Sequence, residues 1–265
     1  MPCSFFSKPV TTKPGIVDDK TDTARSFWGM YGSGVLREPN SHIDLYYFGL
    51  RHSTAKFQQG TALEQRQILG TRLWGASRSW DYDFEALAQL GSFGEGSIRA
   101  WAVESETGHT LRQVHSRPRL GIGVAADSGD QDPTHPDLQT FNPLFPRGLY
   151  HELVNLTGHA NSLSLNPSAT FHLTKRLTLT DNWEFIWRES LGDGIYGVGG
   201  NFLRAGHPGD GRYVGSQPTL LLSWTIQRHL GLIFFYTHFF PGPFIQHSGP
   251  HRAVDQLSGW LDFEF

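Results

Sequence analysis

The 265-residue chain has a single cysteine, Cys3, which excludes an internal disulfide and a thiolate-rich zinc site. It has no run of about 18 apolar residues, which excludes a helical membrane span. It lacks a dominant charge: 22 Lys and Arg against 25 Asp and Glu leave a formal charge of −3, too balanced for wholesale nucleic-acid binding. The opening MPCSFFSKPVTTKPG has neither a basic region nor an apolar core, so it does not read as a secretory leader.

Catalytic patterns are missing as well. Gly121, Gly123 and Ala126 mimic a dinucleotide fingerprint, but they sit inside a strand pattern and lead to DSGD rather than a helix. His151-Glu152 begins like a zinc-protease motif, yet Asn155 stands where the second histidine belongs. There is no G-x-S-x-G elbow, and the 13 histidines lack ligand spacing. The acidic stretch Asp127, Asp130 and Asp132 offers hard oxygens that suit Ca²⁺ but lacks the EF-hand loop, and it reads as a solvated loop start. No enzyme activity, cofactor or metal is expected.

What the chain does have is 30 Gly, 15 Pro, 19 Phe, 8 Trp and 8 Tyr, the material of many short strands and turns. Alternation of period two recurs along it. Trp80, Tyr82, Phe84, Ala86, Ala88 and Leu90 oppose Asp81, Asp83, Glu85 and Gln89. Leu177, Leu179, Trp183, Phe185 and Trp187 oppose Thr178, Thr180, Asn182 and Glu184. Leu257, Leu261, Phe263 and Phe265 oppose Trp260, Asp262 and Glu264. With weaker segments near 26–36, 42–52, 64–78, 96–106 and 229–240, about eleven strands of barrel-spanning length are expected.

One face of these strands is Leu, Phe and Trp, whereas the other is small, polar or charged. That inside-out pattern fits an all-β antiparallel transmembrane β-barrel, with a soluble β-barrel binding protein as the alternative. Loop lengths add an independent test, because outer-membrane barrels alternate short periplasmic turns with long outer loops. If Phe265 ends in the periplasm, 241–253, 191–211, 128–160 and 53–63 fall outside. The tight connections at 227–229, 174–176, 77–79 and 37–41 then fall inside. Only 107–116 is long where a short turn is wanted.

Residues 1–25 read as a loop segment and 26–265 as the barrel region. An odd strand count starts the chain on the outside, so at least one further strand is expected upstream of Met1.

The predicted inner parity carries Arg66, Arg72, Arg99, Arg117, Arg119 and Arg188, with Glu85, Asp127 and Glu184 beside them. Guanidinium groups hold carboxylates in a fork geometry and keep their charge at any working pH. Such a ladder could guide an anion, with interspersed acids loosening each stop. The same residues could instead pair across strands and fill the lumen.

The runs DLYYFGL (44–50), LGTRLWG (69–75), GSIRAWAVESETG (96–108), SGDQDP (128–133), FNPLFPRG (141–148), YVGSQ (213–217) and HFFPGPF (238–244) resemble the alginate-export family of Gram-negative outer-membrane barrels. The resemblance runs from about residue 16 and corresponds to the C-terminal portion of an eighteen-stranded barrel. It implies a passive, monomeric porin set in outer-membrane lipid, passing an anionic polysaccharide through an electropositive lumen. By the same resemblance Arg72, Arg99 and Arg147 sit in family motifs. A last strand ending at Phe265 resembles the signal read by the barrel-assembly machinery.

Overall fold

The computed structural model describes residues 2–11, 15, 17–36, 40–144 and 157–263. Twelve strands form one antiparallel sheet in which each strand pairs with its neighbours in sequence. They are β1 (Pro2–Ser7), β2 (Arg25–Val35), β3 (Ser41–Phe57) and β4 (Gly60–Ser77). Next come β5 (Trp80–Phe93), β6 (Gly96–Thr110), β7 (Arg119–Asp127) and β8 (Ser162–His172). The last four are β9 (Leu177–Trp187), β10 (Tyr213–Gln227), β11 (Leu230–Pro241) and β12 (Val254–Phe263). A short helix, α1 (Pro243–His247), interrupts the final long connection.

Strands occupy all eleven expected segments, and a twelfth joins them. Pro2–Ser7 pairs with β2 from Pro2↔Gly32 to Ser7↔Phe27, so residues 1–25 are not only loop. Six residues with Ser at both Ser4 and Ser7 carry too little alternation to stand out. With this strand the count is even, and the parity argument for a strand before Met1 lapses. Among the described residues, β1 and β12 pair on one side only.

Burial separates the two faces. Leu45, Leu69, Leu90, Val103, Ile122, Leu220 and Leu261 are exposed. All lie on the parity opposite Asp44, Arg72, Gln89, Glu104 and Asp127, as the cross-strand register requires. A row of exposed Leu, Val and Ile around a sheet is costly in water and favourable against lipid chains.

The sheet curls strongly. Gln58, at the β3–β4 tip, donates to the Gly192 and Gly206 carbonyls at 2.9 and 3.1 Å. Those residues follow β9, six strands away. At about 4.8 Å per strand a flat sheet would hold them roughly 29 Å apart. The polar face is therefore the concave one.

The long connections gather at one mouth and most tight turns at the other, with three differences, one of them the two-residue turn at Gly94 and Glu95 between β5 and β6 on the long-loop side. The loop expected at 53–63 shrinks to Gln58 and Gln59, because β3 and β4 run on for 17 and 18 residues. At about 3.3 Å per residue that hairpin outreaches an apolar band of about 25 Å even when tilted. The connection between Thr110 and Arg119 remains the long one at the tight-turn end.

The inner face is not uniformly polar. At the long-loop mouth Phe57, Phe93, Ile98, Ala102, Leu138, Phe141 and Tyr196 form a buried cluster. There the segment after β7 folds back and pairs Leu138 with Ile98 on the edge that β6 extends beyond β7. The inward parity of β6 is apolar at this level because a loop, not water, covers it.

Candidate functional site

The inner wall divides into a plugged mouth and a charged middle. At the mouth, Arg66 is fully buried. Its Nε donates to Glu64 Oε1 at 2.6 Å, and its Nη1 donates to Gln89 Oε1 at 2.5 Å and to the Thr140 carbonyl at 3.2 Å. Gln89 and Glu64 also bind Asn142, through Asn142 N→Gln89 Oε1 at 3.0 Å and Asn142 Nδ2→Glu64 Oε1 at 3.0 Å. Arg66 thus anchors the folded-in loop to the wall and does not face a solute.

Arg188 has the same role in the next loop. It is fully buried and donates to the carbonyls of Gly211, Leu191, Asp193 and His207 at 2.5–3.1 Å. Its guanidinium centre lies 4.2 Å from the Phe244 ring centroid of α1.

Two loop residues that sequence patterns do not single out complete the mouth. Asp193 accepts from Asp130 N at 3.0 Å, Thr140 Oγ1 at 2.6 Å and Tyr196 OH at 2.8 Å. Asn161 ties the segment before β8 to the Ser190 and Gly194 carbonyls at 3.1 and 2.9 Å. Burial pushes the Asp193 carboxyl above the usual carboxylate range, and that of Asp130 up to about 6. Asp193 and Asn161 are short polar residues in connecting segments, a signal that marks turns but not tertiary partners.

The middle of the wall is charged and internally paired. Arg72 forks onto Asp83, with Nε to Oδ1 at 2.8 Å. Arg119 meets Asp81 at 2.5 Å and Glu106 at 2.8 Å. Glu85 accepts from Tyr46 OH, Asp44 accepts from Trp74 Nε1 at 2.9 Å, and Glu184 is buried opposite Gln217. Of these, Arg72, Asp83, Glu85 and Glu106 border a cavity of about 420 Å³ that Glu104, His159 and Asn182 also line.

On the inward parity of β3–β9, Asp44, Glu64, Asp81, Asp83, Glu85, Glu104, Glu106, Asp127 and Glu184 outnumber Arg66, Arg72 and Arg119. The described wall is acidic on balance, which departs from the electropositive lumen that the family resemblance implied.

The remaining expected residues scatter. Arg99 is exposed and shares the outward parity of Trp101 and Val103; the alternation misleads here because Ile98 and Ala100, which a loop covers, look like the lipid side. Arg117 lies in the turn before β7 with φ 40° and is exposed. Arg147 lies outside the described residues. Asp127 is fully buried at the end of β7, but Asp130 binds Gln59, and Asp132 turns outward to Thr134 at 2.5 Å. The three do not converge on one point.

A further feature of the inner face is aromatic. Phe5, Phe27, Phe48, Tyr46 and Tyr31 form a continuous row, with ring centroids 5.1, 5.4, 4.9 and 5.8 Å apart. By contrast, the hollow of about 740 Å³ lined by Met30, Leu45, Leu69, Ala88 and Val103 opens on the apolar outer side, where lipid chains belong.

A curled antiparallel sheet, apolar outside, charged within and roofed by loops at one mouth, is the architecture of an outer-membrane β-barrel channel. The chain belongs to the alginate-export family, whose model matches residues 4–257, and it resides in the outer membrane of a Gram-negative bacterium. No curated protein sequence matches it. Similar solved structures include a NanC porin, 8% identical over 100% of this chain and 98% of that one, with a TM-score of 0.42. Another is the outer-membrane expressed OmpT of Vibrio cholerae, 7% identical over 98% and 93%, with a TM-score of 0.41.

Proposed function

We propose that the protein is a passive, monomeric outer-membrane channel for saccharides, including the anionic saccharide in its family's name. The observation that carries this reading is the inner wall itself, where a row of aromatic faces runs beside a band of charged and hydroxyl groups. Ring faces pack against the C–H faces of sugars, while forked ion pairs can open to exchange hydrogen bonds with hydroxyls and carboxylates. Arg72 and Arg119 are the cations an anionic saccharide would meet. Neither is free, so each must release a carboxylate to engage it.

The acidic balance of the wall favours a second reading, in which the channel takes neutral saccharides and small cations. Planar-bilayer recording separates the two. Under a salt gradient the reversal potential gives the charge preference, and block by added oligosaccharides gives substrate class. Block by oligouronate at lower concentration than by a neutral oligosaccharide supports the first reading, and the reverse order supports the second. No saccharide block of an open conductance defeats both.

The twelve strands are read as a portion of a larger barrel of about eighteen strands, assembled through the C-terminal segment of the sequence that includes β12. The rival is closure of β1 directly onto β12. Native Cys3 on β1 tests this: a disulfide from Cys3 to Ser258→Cys or Trp260→Cys in membranes would show direct closure and overturn the larger count.

A further inference from the structure

We propose that Glu104, Asp127 and His159 form a binding site for a divalent cation of the zinc and manganese class, set in the wall at the base of the long loop. The three come from consecutive pieces of the sheet. Glu104 lies on the inner face of β6, Asp127 ends β7, and His159 stands just before β8. The register brings them together, since Ala102 pairs with Asp127 and Asp127 with Ser162.

Their ligand atoms all lie within 4.8 Å of one another. His159 Nδ1 is 3.3 Å from Asp127 Oδ2 and 3.6 Å from Glu104 Oε1. Two ligands at about 2.1 Å from a tetrahedral zinc ion stand about 3.4 Å apart, so both measured edges admit such an ion without rearrangement.

A second observation points to a ligand. Asp127 is fully buried, and its Oδ1 has no hydrogen-bond partner. A hydrogen bond from His159 satisfies only the other oxygen. A buried carboxylate oxygen left bare is costly, and a cation held by both oxygens removes that cost. One imidazole with two carboxylates selects borderline ions over Ca²⁺, which prefers six or more oxygens. Glu104 and His159 also line the 420 Å³ cavity, which leaves room for water to complete the coordination. An ion here would staple the return of the long loop onto β6 and β7.

The test is titration calorimetry of the full chain, folded in detergent and stripped with a chelator, against ZnCl₂, MnCl₂ and CaCl₂. One zinc per chain, with manganese weaker and calcium undetected, is expected. Glu104→Gln and His159→Gln should each weaken zinc at least about tenfold, while Asp132→Asn leaves it unchanged. Heat-modifiable gel mobility confirms that each variant is folded. A footprint on the unmutated chain stands apart from variant folding: acylation of His159, read by mass spectrometry, should fall when zinc is added. Absence of zinc binding, equal zinc affinity in the variants, calcium binding as tight as zinc, or an unchanged His159 footprint overturns the proposal.

Discussion

At the scale of single residues, the arginines separate by what surrounds them rather than by parity alone. Arg188 makes its hydrogen bonds to main-chain carbonyls, and removing it leaves those acceptors buried and bare. Arg188→Met is expected to cost about 3 kcal/mol, seen as a lower urea midpoint, and Arg188→Lys to recover only some of it because an ammonium cannot reproduce the fork. Arg72 and Arg99 form a second contrast. Arg72→Ala frees Asp83 on the inner wall, so the permeability ratio should move toward cations, by up to about fivefold if the pair contributes about 1 kcal/mol. Arg99→Ala changes a residue on the lipid-facing parity and should leave the reversal potential where it was. A shift from Arg99→Ala would mean the face assignment of β6 is wrong.

At the scale of elements, the mouth loops enclose two carboxyls that burial makes harder to ionise. Asp130 and Asp193 have their folded pKa raised by burial, so the folded mouth binds more protons than the unfolded chain above the ordinary carboxylate range. The contribution of Asp130 is complete below about 3.8 and is lost as pH rises through about 6, and that of Asp193 is lost in the same direction. Asp137 works in the opposite sense, since the Ser97 amide and hydroxyl hold its carboxyl low. Its contribution is lost only as pH falls below the ordinary range. Between about pH 4 and pH 7 the first pair governs. Hydrogen-exchange protection at Gly129, Asp130 and Gly194, corrected for intrinsic rate, should fall across that window, and less steeply in Asp130→Asn. Protection that rises with pH would contradict the assignment.

Strand β4 offers a packing test at the same scale. The Tyr46 ring lies directly over Gly70, where an added Cβ would collide with it. Gly70→Val should therefore displace the ring, break its bond to Glu85 and lower stability by about 1–3 kcal/mol, measurable as a shift in the unfolding midpoint.

At the scale of the whole molecule, the order of residues is enough to set the class of sheet, which end carries most of the long connections and, outside the stretch of β6 that a loop covers, its two faces. Those follow from side-chain alternation of period two and from connection lengths, both local and additive along the chain. Leu69 beside Arg72, or Phe84 beside Glu85, is enough to assign a face. The short strand Pro2–Ser7 escapes such reading because six residues hold too few alternations, and it is fixed instead by pairing with β2.

Which inward groups meet water and which meet a loop is settled only by the folded chain. Arg66 and Arg72 share a strand and a parity, yet one is sealed under Thr140 and Asn142 while the other borders the cavity. The meeting of Glu104, Asp127 and His159 likewise depends on the register of β6, β7 and β8 and on the path of a loop more than thirty residues long. Alternation reports only the direction of a side chain. Its partner depends on curvature that brings distant loops over the wall, and no local pattern encodes that.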